Sequence, residues 1–122
     1  MILVDSSVWI DHLRCTDLTL TTLLDQGLIL THPFVIGELA LGSLCQRATI
    51  IGYLLDLPKA TVADDGEVLV FIQRQTLFGR GIGYIDTHLL ASVRLTTGAT
   101  LWTRDKRLHK VAASLGIAED LR

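Results

Sequence analysis

The feature that most constrains this chain is the alternation of very short apolar runs with longer helical stretches. Ile2-Leu3-Val4 is branched and apolar, and Asp5 stops it at once. Leu101-Trp102 repeats the pattern, with Asp105 close behind. Runs this short, without polar alternation, read as strands buried on both faces, as in parallel sheets. Strands are expected at Ile2–Val4 and over residues 28–31, 60–63 and 100–103. Helical periodicity is expected over residues 7–14, 18–26, 34–44, 48–57, 84–97 and 105–115. A further helix opens at Asp64 and Asp65 and carries Val68, Leu69, Ile72 and Leu77. Asp17 or Thr16 caps the second helix, Pro58 stops the fourth, and Gly98 and Gly116 close the last two. Residues 79–83 form a glycine-rich loop. Strands alternating with helices imply an α/β domain with a mainly parallel central sheet.

Composition narrows the class. With 122 residues the chain has room for one core, and 49% hydrophobic content at a net charge of -2 excludes intrinsic disorder. The longest apolar runs, such as Ile50 to Leu55 and Val68 to Ile72, fall far short of the roughly 20 residues of a membrane span. Asp5 follows the initial Met1-Ile2-Leu3-Val4 directly, so no signal peptide is expected ahead of the fold. Cys15 and Cys45 fit neither a disulfide framework nor a zinc spacing, so a reducing, cytoplasmic setting is expected.

Ligands of parallel sheets bind outside the carboxyl ends of the strands. Four acids stand there: Asp5 and Asp105 after strands, Asp86 in the first turn of the helix from Tyr84, and Glu38 one turn past Pro33. Each Asp alone also reads as a helix cap or dipole partner. Glu38 lies among Ile36, Leu39 and Leu41 on a helix expected to be mostly buried, where an unpaired carboxylate costs several kcal/mol. Carboxylates about 5 Å apart repel by about 3 kcal/mol at an effective dielectric of 20, and a hard divalent ion relieves that repulsion. All-oxygen ligation suits Mg²⁺ or Mn²⁺ rather than zinc. His12, His32, His88 and His109 show no ligand spacing and are expected at surfaces or interfaces. The 79–83 loop is not a dinucleotide fingerprint, and no P-loop is present. Ser7 stands where a phosphoaspartate phosphatase needs a second Asp, and the acidic pair of a receiver domain is missing.

The acids lie in four motifs: Val4-Asp5-Ser6-Ser7-Val8-Trp9-Ile10-Asp11, Ile36-Gly37-Glu38-Leu39-Ala40-Leu41-Gly42, Gly83-Tyr84-Ile85-Asp86-Thr87-His88-Leu89-Leu90-Ala91 and Leu101-Trp102-Thr103-Arg104-Asp105-Lys106-Arg107-Leu108. In order and over essentially the whole chain, they resemble the motifs of PIN-domain ribonucleases, particularly VapC toxins of toxin–antitoxin pairs. The resemblance implies a three-layer α/β/α PIN-like domain over residues 1–122. It implies Mg²⁺-dependent hydrolysis of RNA, with Asp5, Glu38, Asp86 and Asp105 as metal-binding acids and Ser7 and Thr103 as supporting hydroxyls. It also implies an RNA substrate, a cognate VapB-like antitoxin and a homodimer. Two positions depart mildly from the family pattern: Leu108 replaces a frequent aromatic, and His88 fills a slot more often apolar or small. About 200° round the helix from Asp86, His88 is expected to face away from the acids. A non-catalytic PIN module, or a PIN nuclease of RNA processing outside toxin–antitoxin systems, is the alternative.

A sequence pI near 6.0 argues at first against a nucleic-acid partner. The charge is divided, however: residues 1–58 hold two basic and six acidic groups, and residues 59–122 hold nine and seven. With the four clustered acids set aside, the remainder is +2. Arg80, Arg104 and Lys106 are the expected RNA contacts, against the reading of a solvated basic helix face. Trp9, Leu13, Leu41, Leu44 and Tyr53 on the early helices are expected to exceed, in part, what one core can bury.

Overall fold

A computed structural model describes residues 1–122. The order is β1 (Ile2–Val4), α1 (Ser6–Arg14), α2 (Leu18–Asp25), β2 (Ile29–Leu30), α3 (Pro33–Ala40), α4 (Arg47–Asp56), α5 (Asp65–Gln75), α6 (Tyr84–Leu95), β3 (Thr100–Trp102) and α7 (Lys106–Ser114). All three strands are parallel, in the order β2-β1-β3. Ile2, Leu3 and Val4 pair with Thr100, Leu101 and Trp102, and Ile2 and Leu3 also pair with Ile29 and Leu30. Every residue of β1 and β2 is buried, as the unbroken apolar runs require.

This is the expected α/β class with a parallel sheet. The strand expected over residues 60–63 contracts to a single bridge between Thr31 and Lys59, after which the chain turns away. α3 ends at Ala40, four residues early, and Leu41 beyond it is 91% exposed. Trp9 belongs to the core, whereas Leu41 and Tyr53 are indeed left at the surface.

The strand order positions the site. From the central β1 the chain moves first to β2 on one side and later to β3 on the other. The reversal opens a crevice at the carboxyl ends of β1 and β3, the usual ligand position in such sheets. α6 and α7 pack on β3, and α1 packs on α3, and α1, α3 and α7 each start within four residues of a strand's carboxyl end, at this edge.

Candidate active site

Asp5 anchors the crevice. Its backbone N–H donates to the Trp102 carbonyl at 2.9 Å, which fixes the end of β1 against β3. Its side chain is 5% exposed, and although Asp5 stands at the N-cap of α1 its carboxylate makes no capping bond. Instead Oδ2 accepts the hydroxyls of Ser7 at 2.7 Å and Thr103 at 2.8 Å. Ser7 Oγ accepts from the Arg104 N–H at 3.0 Å, and Thr103 Oγ1 from the Asp105 N–H at 3.1 Å. Two hydroxyls tied to the backbone therefore offset the burial of one carboxylate and fix its direction. Capping is not what Asp5 does.

The other three acids surround it. Asp86 is half-buried in the first turn of α6, and its Oδ2 accepts the Gly83 N–H at 3.0 Å. Burial raises its carboxyl above the ordinary range against that hydrogen bond, and the charges of Asp5 and Asp105 add to the rise. Asp105 is exposed and does cap α7, through Oδ1 to the N–H groups of Arg107 (2.9 Å) and Leu108 (3.2 Å). That cap uses one oxygen and leaves Oδ2 without a protein hydrogen bond. Glu38 is exposed rather than buried, because it lies two residues past Ile36 and so about 200° round α3 from it. Its carboxyl is nevertheless raised, first by lost hydration on its protein side and then by Asp5, with Asp86 adding less. The Ser6 hydroxyl donates to Glu38 Oε1 at 3.3 Å and opposes that rise.

The charge of Asp5 therefore reaches both Glu38 and Asp86, and that of Asp105 reaches Asp86, at one sheet edge. Held by their separate hydrogen bonds, no three of them close into a tight set for one ion. The donors are carboxylate oxygens throughout, the chemistry of a hard cation. Mg²⁺ takes one or two protein carboxylates together with water and substrate phosphate, not a closed protein cage, so the open arrangement fits it.

The expected RNA contacts fare unequally. Arg104 is committed elsewhere: Nη1 donates to Asp11 at 2.9 Å, and Nη2 to Asp17 and to the Arg122 carbonyl. Its guanidinium also stacks 5.6 Å from the Trp102 ring centre. With its fork so occupied, Arg104 pins α1, the α2 cap and the C-terminus. Lys106 and Arg80 are exposed and outside any ion pair.

Two histidines expected at surfaces or interfaces are buried within the fold. His32 caps α3, its Nδ1 accepting the Phe34 N–H at 3.0 Å, which leaves Nε2–H to reach Ser92 Oγ at 3.1 Å. Burial, with the charge of His88 behind it, lowers its pKa from 6.5 to about 4. His88 faces away from the acids as expected, with Nε2 3.1 Å from Asp65 Oδ1 and its ring edge-on to Phe34 and Tyr84.

Residues 2–114 match the family described as PIN domain, and the chain belongs to that family. Within it, the chain is 50% identical over 118 residues to Ribonuclease VapC32 of Mycobacterium tuberculosis, in both strain CDC 1551 / Oshkosh and strain ATCC 25618 / H37Rv. The aligned region covers 97% of this chain and 95% of each relative.

Proposed function

We propose that the chain is a Mg²⁺-dependent endoribonuclease and acts as the VapC-type toxin of a toxin–antitoxin pair, with Mn²⁺ as an alternative ion. The carrying observation is the buried Asp5 carboxylate, which declines its capping role and is aimed by Ser7 and Thr103 into a cluster with Glu38, Asp86 and Asp105. The 50% identity to proteins named as VapC ribonucleases supports the same reading. A bound divalent cation supplies neutralisation of the scissile phosphate and acidification of water. Asp5, Asp86 and Asp105 would hold it directly or through water, with Glu38 completing the set. Ser7 and Thr103 keep Asp5 in one orientation, so no reorganisation is needed when substrate arrives. Asp86 and Asp105 each spend one oxygen on a helix terminus, which holds the other in place at the crevice.

Attack by water on the phosphodiester leaves a 5′-phosphate and a 3′-hydroxyl. Incubating the protein with cellular RNA in Mg²⁺ or in EDTA, then sequencing the new 5′ ends, tests this. Cleavage with 5′-phosphate ends in Mg²⁺ alone is expected. Cleavage that persists in EDTA, or that leaves 5′-hydroxyl ends, would contradict it.

Partners follow from the same reading. An apolar groove of about 460 Å³ between α1, α3 and α4, with Leu13, Leu39, Leu44 and Ile50 in its wall, reaches Glu38. A VapB-like antitoxin segment lying there would cover the acids. A homodimer and a cytoplasmic setting complete the proposal, and no helix is long and apolar enough to cross a membrane. Light scattering at micromolar concentration should report twice the chain mass; a monomer would refute the dimer.

A further inference from the structure

Between α7 and the glycine-rich loop lies a cleft whose cations are answered by no carboxylate. Arg80, Arg107 and Lys110 line it together with Gly79, Gly81 and Val111, around a cavity of about 470 Å³. The molecule's ion pairs run through Arg104 and His88, and none involves these three side chains. Arg107 and Lys110 are three residues apart on α7, so they share one face. Arg80 approaches the same helix from the loop, its Nη2 3.5 Å from Ser114 Oγ.

The loop is shaped around Arg107. Gly81 has a φ of +79°, and a Cβ there would stand 3.1 Å from Arg107 Nη1 and 3.2 Å from its Cδ. The left-handed backbone favours glycine there, and a Cβ would displace the Arg107 side chain by a few tenths of an ångström. Like charges gathered round a concave surface repel one another, and an anion seated among them relieves this.

The cleft adjoins the carboxylate cluster without overlapping it. α7 starts directly after Asp105, and Lys110 lies five residues on, about 7.5 Å along the helix axis. The loop forming the opposite wall runs into Gly83, whose N–H holds Asp86.

We propose that this cleft is a phosphodiester subsite, in which Arg107, Lys110 and Arg80 hold the RNA backbone beside the bond that is cut. It rests on the ribonuclease reading and adds to it a path for the strand. These residues position the substrate; the carboxylates perform the chemistry.

The test is a salt series of binding to a single-stranded RNA oligonucleotide in EDTA, read by fluorescence anisotropy. It compares the natural chain, Arg107→Ser/Lys110→Ser, and an equal-charge control, Arg74→Ser/Arg94→Ser, in the groove between α5 and α6. All the substituted side chains except Arg94 and Arg74 belong to the cleft, and circular dichroism verifies each fold. Losing two phosphate contacts should flatten the slope of log K against log salt by about 1.4, while the control keeps its slope. In Mg²⁺ the cleft variant should raise KM about tenfold with kcat retained at saturating RNA. Equal slopes in the natural chain and the cleft variant, or equal losses in cleft variant and control, would overturn the proposal. So would loss of inorganic phosphate binding in the cleft variant with an unchanged RNA slope, since the occupant would then be a small anion. If the slopes separate as expected but the natural chain cuts no RNA in Mg²⁺, the subsite stands and the nuclease reading falls.

Discussion

Thr103→Val removes one oxygen from the site and leaves the shape of the side chain. Thr103 is buried, and its hydroxyl both donates to Asp5 Oδ2 at 2.8 Å and accepts the Asp105 N–H at 3.1 Å. A hydrogen bond to a charged group contributes about 1.5–3 kcal/mol and a backbone bond about 0.5–1.5, so the loss should reach about 2–4.5 kcal/mol. Unfolding entropy of about 2.1 cal/mol/K per residue converts this, over the 122 residues, into a fall in Tm of about 8–18 °C. Thr103→Ser keeps the hydroxyl and loses one buried methyl, so it should cost only about 1 kcal/mol, or about 4 °C. Cleavage should separate the two in the same way: Asp5 would be freed in the Val variant, lowering the rate by about 10–100-fold, and held in the Ser variant. Differential scanning fluorimetry and a fluorogenic RNA assay read both quantities. A Val variant that melts within about 2 °C of the natural protein and cuts at full rate would show that the hydroxyl does not hold Asp5.

Three further outcomes follow from the charges. Glu38→Gln removes a carboxylate raised by lost hydration and then by the charges of Asp5 and Asp86, so it should increase Tm in EDTA while reducing Mg²⁺-dependent cleavage; a lower Tm in EDTA would contradict the argument that the charge is destabilising there. His32, lowered to about 4, stays neutral in the folded chain while the unfolded chain takes up a proton near 6.5, so its stabilising contribution is complete above 6.5 and is lost as pH falls toward 4. Between about pH 7.5 and 5 this should cost about 2 kcal/mol in urea unfolding, and His32→Gln should flatten that part of the profile; an unchanged slope would refute it. Arg104→Ala severs the bonds to Asp11, Asp17 and the C-terminal carbonyl and should destabilise by about 1–3 kcal/mol, discounted for the exposure of Asp11, with little change in RNA affinity. A large affinity loss at unchanged stability would restore Arg104 to the RNA path.

The four acids were legible because a parallel strand buried on both faces has to end abruptly, and the residue after it meets the crevice. Asp5 and Asp105 stand at such junctions, and Asp86 marks a helix start. What single-chain patterns do not carry is pairing across long separations. The run Arg104-Asp105-Lys106-Arg107 reads as a basic face, and only the fold brings Asp11 and Asp17, some ninety residues away, onto Arg104. Residues 60–63 carry the apolar signal of a strand, but Ala63 donates its N–H to Ser92 Oγ instead of to a neighbouring strand. The exposure of Glu38 was available from helical geometry, since Val35, Ile36 and Leu39 define the buried face of α3. His32 as a helix cap lay outside the usual set of capping residues, so no cap signal pointed to it.

Asp5→Asn tests the central claim most directly. The substitution keeps an oxygen to accept from Ser7 and Thr103 and the volume of the side chain, but removes the charge on which metal-dependent chemistry depends. With the fold verified by circular dichroism, Mg²⁺-dependent RNA cleavage should be lost. Retention of that cleavage at the rate of the natural protein would contradict the assignment of the carboxylate cluster as the active site.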